Sequence, residues 1–280
     1  MRRVKYLLLL IILFSGIGSS QSFFYLAPGV YKTIGDYSTG KKTDDYTLYL
    51  SHNITPSLYG TMNLGKLTAE QDDWTYPQYT AGYHLAYYDF PSTYKIDLGY
   101  ITGTFNYSPD KSFNYSDRTF LGGIDWFYFY NDMYVGFSQT YLNAKGILTT
   151  DSVKEISVHQ TNLRFTYIFF PELSITVKPS MHLSSDNKKF FSVYGRINYQ
   201  ASQSLYLKAG GFAGSRIYNF DTDTYALFNL FQTQKNQLFI QADYNFFSNY
   251  YLSLGYQFTR FSGYKINYYI AGVNTSFTFY

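Results

Sequence analysis

Four basic residues stand at comparable distances from turn-like stretches. Arg164 lies seven residues before Pro171, Lys178 six after Glu172, Arg196 five before Ala201 and Lys208 four after Ser204. Three acids are spaced in the same way: Asp97 five after Ser92, Asp125 six before Asn131 and Asp243 four before Phe247. Cations on one wall of a lumen with acids flanking them would set a transverse field and sort solutes by charge. The same groups could instead pair with one another as a network that fills the space, and the residue types leave both readings open.

A second set of residues could do covalent chemistry. Glu155, Ser157 and His159 are two apart, as are His182 and Ser184. Residues two apart share a face of an extended chain, and a base beside a hydroxyl is what nucleophile activation needs. Common residues at so short a spacing make a weak motif, so no catalytic residue is assigned and an enzyme is not expected. Asp44–Asp45, Asp72–Asp73 and the pair Asp221 and Asp223 could hold Ca²⁺, with plain solvation of a loop as the favoured reading. The chain has no Cys, which removes disulfides and thiolate metal sites. No glycine-rich phosphate loop occurs, and neither a metal nor a cofactor is expected.

The elements that must position these groups are strands. Tyr46, Leu48 and Leu50 alternate with Thr47, Tyr49 and Ser51; Tyr79, Ala81, Tyr83, Leu85 and Tyr87 alternate with Thr80, Gly82, His84 and Ala86. The same period of two recurs at 58–65, 94–100, 173–178 and 237–244, with one apolar face each time. Short turns at 53–57, 89–92, 131–132, 170–172, 201–204 and 247–249 interleave with longer polar stretches at 32–44, 67–77, 106–117, 145–153, 185–189, 217–235 and 262–265. Six turns and seven loops join fourteen strands, with both termini at the turn end. The range is twelve to sixteen, because 217–235 could hold one more hairpin. Pro28 marks the first strand as the weakest, since proline cannot donate to a ladder.

Composition says what surrounds the strands. Aromatic residues make up 22% of the chain and charged residues only 15%, against roughly a quarter charged in soluble domains. A sandwich in water would cover its outer faces with Lys and Glu. Here aromatics crowd the short turns, at Tyr87, Tyr88, Phe90, Tyr128, Phe129, Tyr130, Phe169, Phe170, Phe246, Phe247, Tyr250 and Tyr251. A second band flanks the loops, at Trp74, Tyr76, Phe105, Tyr107, Phe190, Phe191, Tyr218 and Phe261. Two bands one strand apart mark headgroup level on both sides of a bilayer. A charge on the lipid face at mid-depth would cost roughly 2–4 kcal/mol for Lys or Arg, so the seven charges are expected to point inward and line a pore.

Residues 1–20 read as a secretory signal peptide: a basic start, the apolar run YLLLLIILF, and small Gly18 and Ser20 before a cleavage site. Three of the 22 Lys and Arg lie in it, leaving 19 against 19 Asp and Glu in residues 21–280. The basic balance of the whole chain is thus no sign of nucleic-acid binding.

Signal peptide, alternating segments, turn rhythm and the closing "SFTFY" together resemble the Gram-negative outer-membrane β-barrels over residues 21–280. The size resembles the monomeric OmpG-like porins. "LSLGYQFTRFSGYKINYYIAGVNTSFTF" bears a weaker likeness to YaiO-like barrels. The resemblance implies an all-β, up-and-down transmembrane barrel in the cell outer membrane. Its partners would be outer-membrane lipids, lipopolysaccharide, the barrel assembly machinery and small solutes. Phe277, Phe279 and Tyr280 would serve as its assembly signal. The function expected is passive diffusion of small hydrophilic solutes with a mild anion preference, the 217–235 stretch being the candidate gate. The alternatives are a lipid-modifying enzyme of the outer membrane and a closed structural or assembly barrel without a pore.

Overall fold

A computed structural model describes residues 24–71, 73–107, 114–148, 153–224, 226–227 and 232–279; the expected signal peptide and Tyr280 lie outside them. The chain runs as antiparallel strands β1 (Phe24–Tyr37), β2 (Lys42–Thr55), β3 (Leu58–Gln71), β4 (Trp74–Asp89), β5 (Ser92–Tyr107), β6 (Asn114–Tyr130), β7 (Met133–Leu148), β8 (Val153–Phe170), β9 (Leu173–Ser184), β10 (Lys189–Gln200) and β11 (Leu205–Arg216). A two-residue hairpin follows, β12 (Phe220–Asp221) with β13 (Ala226–Leu227). The wall resumes with β14 (Gln234–Phe247), β15 (Tyr250–Phe261), β16 (Lys265–Thr275) and the terminal β17 (Phe277–Phe279). Each wall strand pairs with the next, β11 pairs with β14 across the small hairpin, and β16 and β17 both pair with β1. Counting β16 and β17 as one interrupted strand, the described residues form a closed barrel of fourteen. Closure leaves no sheet edge in lipid, where unpaired backbone groups have no water to bond.

The alternation decides which face is which. Tyr94, Ile96, Leu98 and Tyr100 on β5, and Leu238, Ile240 and Tyr244 on β14, are all exposed on the outer surface. Such a band of apolar side chains on a closed sheet is a lipid-facing surface. The turns fall where the sequence places them. Asn131 and Asp132 both take positive φ, 44° and 63°, the two-residue geometry whose twist matches paired strands.

The loop end differs from expectation in two ways. The connections read as 32–44 and 67–77 shrink to 38–41 and 72–73, because the strands continue: Asp36 pairs with Lys42 and Gln71 with Trp74. A strand needs only about 9–11 residues to cross a bilayer. The rest of these 14–16-residue strands stands in water, where polar residues suit a hairpin as well as a loop. Secondly, part of the upper aromatic band turns inward. Tyr218 and Phe261 are buried, the Tyr76 hydroxyl donates to Asp117, and Phe190 packs on an internal cluster. Phe191 of that band does face outward, joined in the loop half by Tyr46, Tyr79, Phe120, Tyr141 and Tyr269.

Pro28 does not shorten β1. It pairs with Leu50 on one side. On the other side pairing stops at Gly29↔Asn274 and resumes at Leu26↔Phe277. The missing N–H lies at the gap that divides β16 from β17.

Candidate functional site: a lumen occupied by a chain segment

The end of β11 bends the chain inward. A register shift between Ala213 and Arg216 marks a bulge, which kinks the strand. Gly214 sits there at φ 117°, and a Cβ on it would lie 2.4 Å from the Phe191 carbonyl oxygen, so only glycine fits. Tyr218, at φ 46°, completes the turn into the barrel.

The interior wall is built to receive this segment. Leu121, Leu142, Ala144, Ile156 and Val158 face inward from β6, β7 and β8 and form one buried cluster with Ile217, Tyr218 and Phe220. Fully burying one large apolar side chain is worth about 1.5–3 kcal/mol. Polar contacts set the register. The Gln160 amide donates to the Phe220 carbonyl at 2.8 Å and accepts from the Phe220 N–H at 2.9 Å, as a strand neighbour would. His182 Nδ1 lies 3.0 Å from the Ile217 carbonyl oxygen. The Phe220 ring stacks on the His84 imidazole at 6.0 Å and 12°, and His84 is held by Asp97 at 2.8 Å and Asn63 at 3.1 Å.

Beyond Phe220 the segment delivers two carboxylates to the basic stripe. Lys178 Nζ lies 2.9 Å from Asp221 Oδ1 and 3.0 Å from Asp223 Oδ2. Arg196 Nη1 is 3.3 Å from Asp223 Oδ2, and Arg164 Nη2 donates to Asp223 Oδ1. Asp221 also accepts from the Asp223 N–H and the Thr224 hydroxyl, at 3.2 Å each, which closes the turn. Arg164 lies over the Phe127 ring and Lys178 over Tyr194, at 4.8 and 4.5 Å. Of the four expected pore bases, three therefore meet on the segment. The fourth, Lys208, pairs with Asp243 at 2.8 Å.

The three acids are not one opposing wall. Asp243 serves Lys208, Asp97 serves His84, and Asp125 is buried among Asp97, Lys95 and Arg164. All seven charges share the inward face of their strands. The reading of Asp221 and Asp223 as a solvated loop pair or calcium site is corrected: both are counterions of the stripe. Asp44 and Asp45 face opposite sides, Asp44 pairing with the outward Lys32 at 3.1 Å, so they cannot share a cation. Asp72 lies outside the described residues, and no group of three metal-ligating residues occurs among those described.

The hydroxyl and imidazole pairs are not assembled for nucleophilic work. Ser157 bonds Tyr141 and Asn143, while the His159 ring lies tilted against Tyr141 on the outer face. Ser184 is engaged with Asp186 and the Lys188 carbonyl, and His182 serves the inward segment. The apolar seat at Leu121, Leu142, Ile156 and Val158 was missed by sequence reasoning. Its signal was available, since these residues share strand parity with Asp125 and Arg164, where a water-filled lumen would want polar groups.

Space remains on the other side of the segment. A cavity of about 600 Å³ lies between Asp221, Asp223 and the opposite wall, lined among others by Tyr31, Tyr49, Arg196 and Gln257. A second cavity of about 320 Å³ reaches the turn end at Gln203 and Ser204. Tyr31, Lys208, Gln241 and Asn274 border both.

Fold and lumen define the class: a closed fourteen-stranded antiparallel barrel of the outer-membrane type, filled on one side by its own chain. Solved structures of this fold include the CymD monoaromatic hydrocarbon channel, with TM-score 0.58 and 9% identity over 93% of this chain and 90% of that one. The Pseudomonas putida toluene transporter TodX matches with TM-score 0.53 and 9% identity over 93% and 90%. At such identity the likeness shows the fold alone. No protein-family model matches the chain, and a search of curated protein sequences finds no match.

Proposed function

We propose that the protein is an outer-membrane channel for small hydrophilic solutes, closed in this conformation by the segment around Phe220–Thr224. The observation that carries this reading is the space beside the segment: a cavity of about 600 Å³ and a second of about 320 Å³ toward the turn end, which share Tyr31, Lys208, Gln241 and Asn274 in their walls. The channel roles of CymD and TodX support it. Their hydrocarbon cargo is not carried over, because the inward face at mid-height here is Arg164, Lys178, Arg196, Lys208 and Gln241, groups an apolar solute would have to desolvate. Anion preference belongs to the open state. While the segment is docked its carboxylates neutralise the stripe; once it lifts, three cations face the lumen.

Refolded protein in planar bilayers tests this. The wild type should show a low baseline with brief openings. The double variant Asp221→Asn/Asp223→Asn should conduct steadily, with a reversal potential in a salt gradient on the anion-selective side. Absence of conductance in both, or cation selectivity of the double variant, overturns the reading.

A further inference from the structure

The two carboxylates that close the lumen converge on one nitrogen. Asp221 Oδ1 and Asp223 Oδ2 lie 2.9 and 3.0 Å from Lys178 Nζ, so those two oxygens are at most 5.9 Å apart. Arg196 and Arg164 engage the Asp223 carboxylate as well. Three cations thus hold a pair of carboxylates at the separation found within one short dicarboxylic acid. The segment touches this seat through side chains alone; its backbone is held elsewhere, by Gln160 and His182. The seat also borders the 600 Å³ cavity, whose wall includes Lys178 and Arg196 together with Lys208 and Arg216. A small anion in that cavity would reach Lys178 and Arg196 directly, and Arg164 once Asp223 leaves it.

We infer that Arg164, Lys178 and Arg196 form a binding site for small dicarboxylates, which the chain's own Asp221 and Asp223 occupy at rest. The site is autoinhibited by a tethered copy of its ligand. A free dicarboxylate competes for the three cations and releases the segment, so the solute opens its own path. This inference rests on the channel reading for its consequence, though not for its binding step. It accounts for two otherwise unrelated features, the chain segment folded into a barrel wide enough to leave a cavity and the near-complete neutralisation of one wall by that segment. A tethered carboxylate pair acts at high effective concentration, so displacement should need millimolar free anion in the wild type.

Succinate is the probe, with acetate and the dication of 1,4-diaminobutane as controls. Binding to detergent-refolded protein is followed by calorimetry, and folding of each variant by its heat-modifiable gel mobility. Succinate should bind, and at least tenfold more tightly to Asp221→Asn/Asp223→Asn, where no tethered competitor remains. Adding Lys178→Gln to that double variant should weaken binding at least tenfold while the barrel stays heat-modifiable. In bilayers succinate should raise the open probability of the wild type, and acetate at equal charge should not. Succinate that fails to bind the folded double variant, or binds both proteins equally, overturns the site. If the double variant conducts but succinate leaves wild-type gating unchanged, the inference fails and the channel reading stands. If succinate binds as expected while no variant conducts, the channel reading fails and the binding site stands.

Discussion

Asp223 and Asp221 are two residues apart in sequence and unequal in what they hold. Asp223 contacts Arg164, Lys178 and Arg196, whereas among these cations Asp221 contacts Lys178 alone. Removing one partner of a buried charged cluster costs about 3–5 kcal/mol, because the remaining charges stay buried. Asp223→Asn should therefore open the channel more than Asp221→Asn, which keeps the turn-closing acceptor for Thr224; equal effects in single-channel recordings would contradict this order. The pH dependence follows from the same contacts. Burial alone would raise both carboxyls. Lys178 reverses that for Asp221, and Lys178, Arg164 and Arg196 together hold Asp223 well below the ordinary carboxylate value. A group depressed in the docked state stabilises docking at every pH above its ordinary value, and the contribution is lost as pH falls through the docked value. Conductance should stay flat between about pH 5 and 8 and rise only in acid below about pH 4. A midpoint near neutrality would place the switch on another group that faces the segment, such as His84, His182 or Asp125.

At the scale of elements, the segment after β11 is held by apolar burial as well as by charge. Ile217, Tyr218 and Phe220 share a cluster with five wall residues, so with the carboxylates alone neutralised the inserted end should still revisit its seat but no longer stay there. A thiol crosslink separates docking from charge. The chain has no Cys, so Gln160→Cys with Phe220→Cys makes a unique pair where the Gln160 side chain now spans to the Phe220 backbone. A short cleavable bis-maleimide in the Asp221→Asn/Asp223→Asn background should shut the conducting state, and cleavage should restore it. Unchanged conductance after complete crosslinking would mean that solute passes elsewhere. The wall itself was legible from residues. Period two placed Tyr94 to Tyr100 outside and Asp97 inside, and the turn residues at Asn131–Asp132 set the hairpin. What was not legible is where the polar strands stop, since Lys32, Asp36 and Asp44 suit a hairpin in water as well as a loop. The docking of 217–224 was open for a different reason. "YALFNLF" drew attention to the stretch after β12, most of which lies outside the described residues, whereas the residues that dock are Ile217, Tyr218 and Phe220, whose partner surface is spread over β6, β7 and β8. The seven charges share the inward face of their strands, while their pairing depends on a segment whose direction no local pattern encodes.

For the molecule as a whole, the last strand decides whether there is a barrel at all. β1 must hold β2 on one side and both β16 and β17 on the other, and Pro28 removes one donor at the gap where the closing strand is divided. Closure beyond that gap rests on three pairs, Leu26↔Phe277, Tyr25↔Thr278 and Phe24↔Phe279. It is reinforced by aromatic contacts: the Phe24 and Phe279 rings are 6.1 Å apart and those of Phe277 and Phe279 6.5 Å. Tyr269, Val273, Phe277 and Phe279 all face lipid, so the register runs unbroken through the gap as far as Phe279, and in the sequence Tyr280 is the next residue. If the outward aromatic is what the insertion machinery reads, Phe279 carries the signal. Phe279→Ala should then lower the heat-modifiable fraction recovered in outer membranes severalfold, through loss of both recognition and the Phe24 contact, while Tyr280→Ala should leave most of it. Refolding into detergent divides the two contributions, because it involves no machinery: a Phe279→Ala protein that folds normally in detergent and fails in cells has lost the signal, and one that fails in both has lost the closure. A larger defect for Tyr280→Ala would require the outward register to shift by one residue at the gap opposite Pro28.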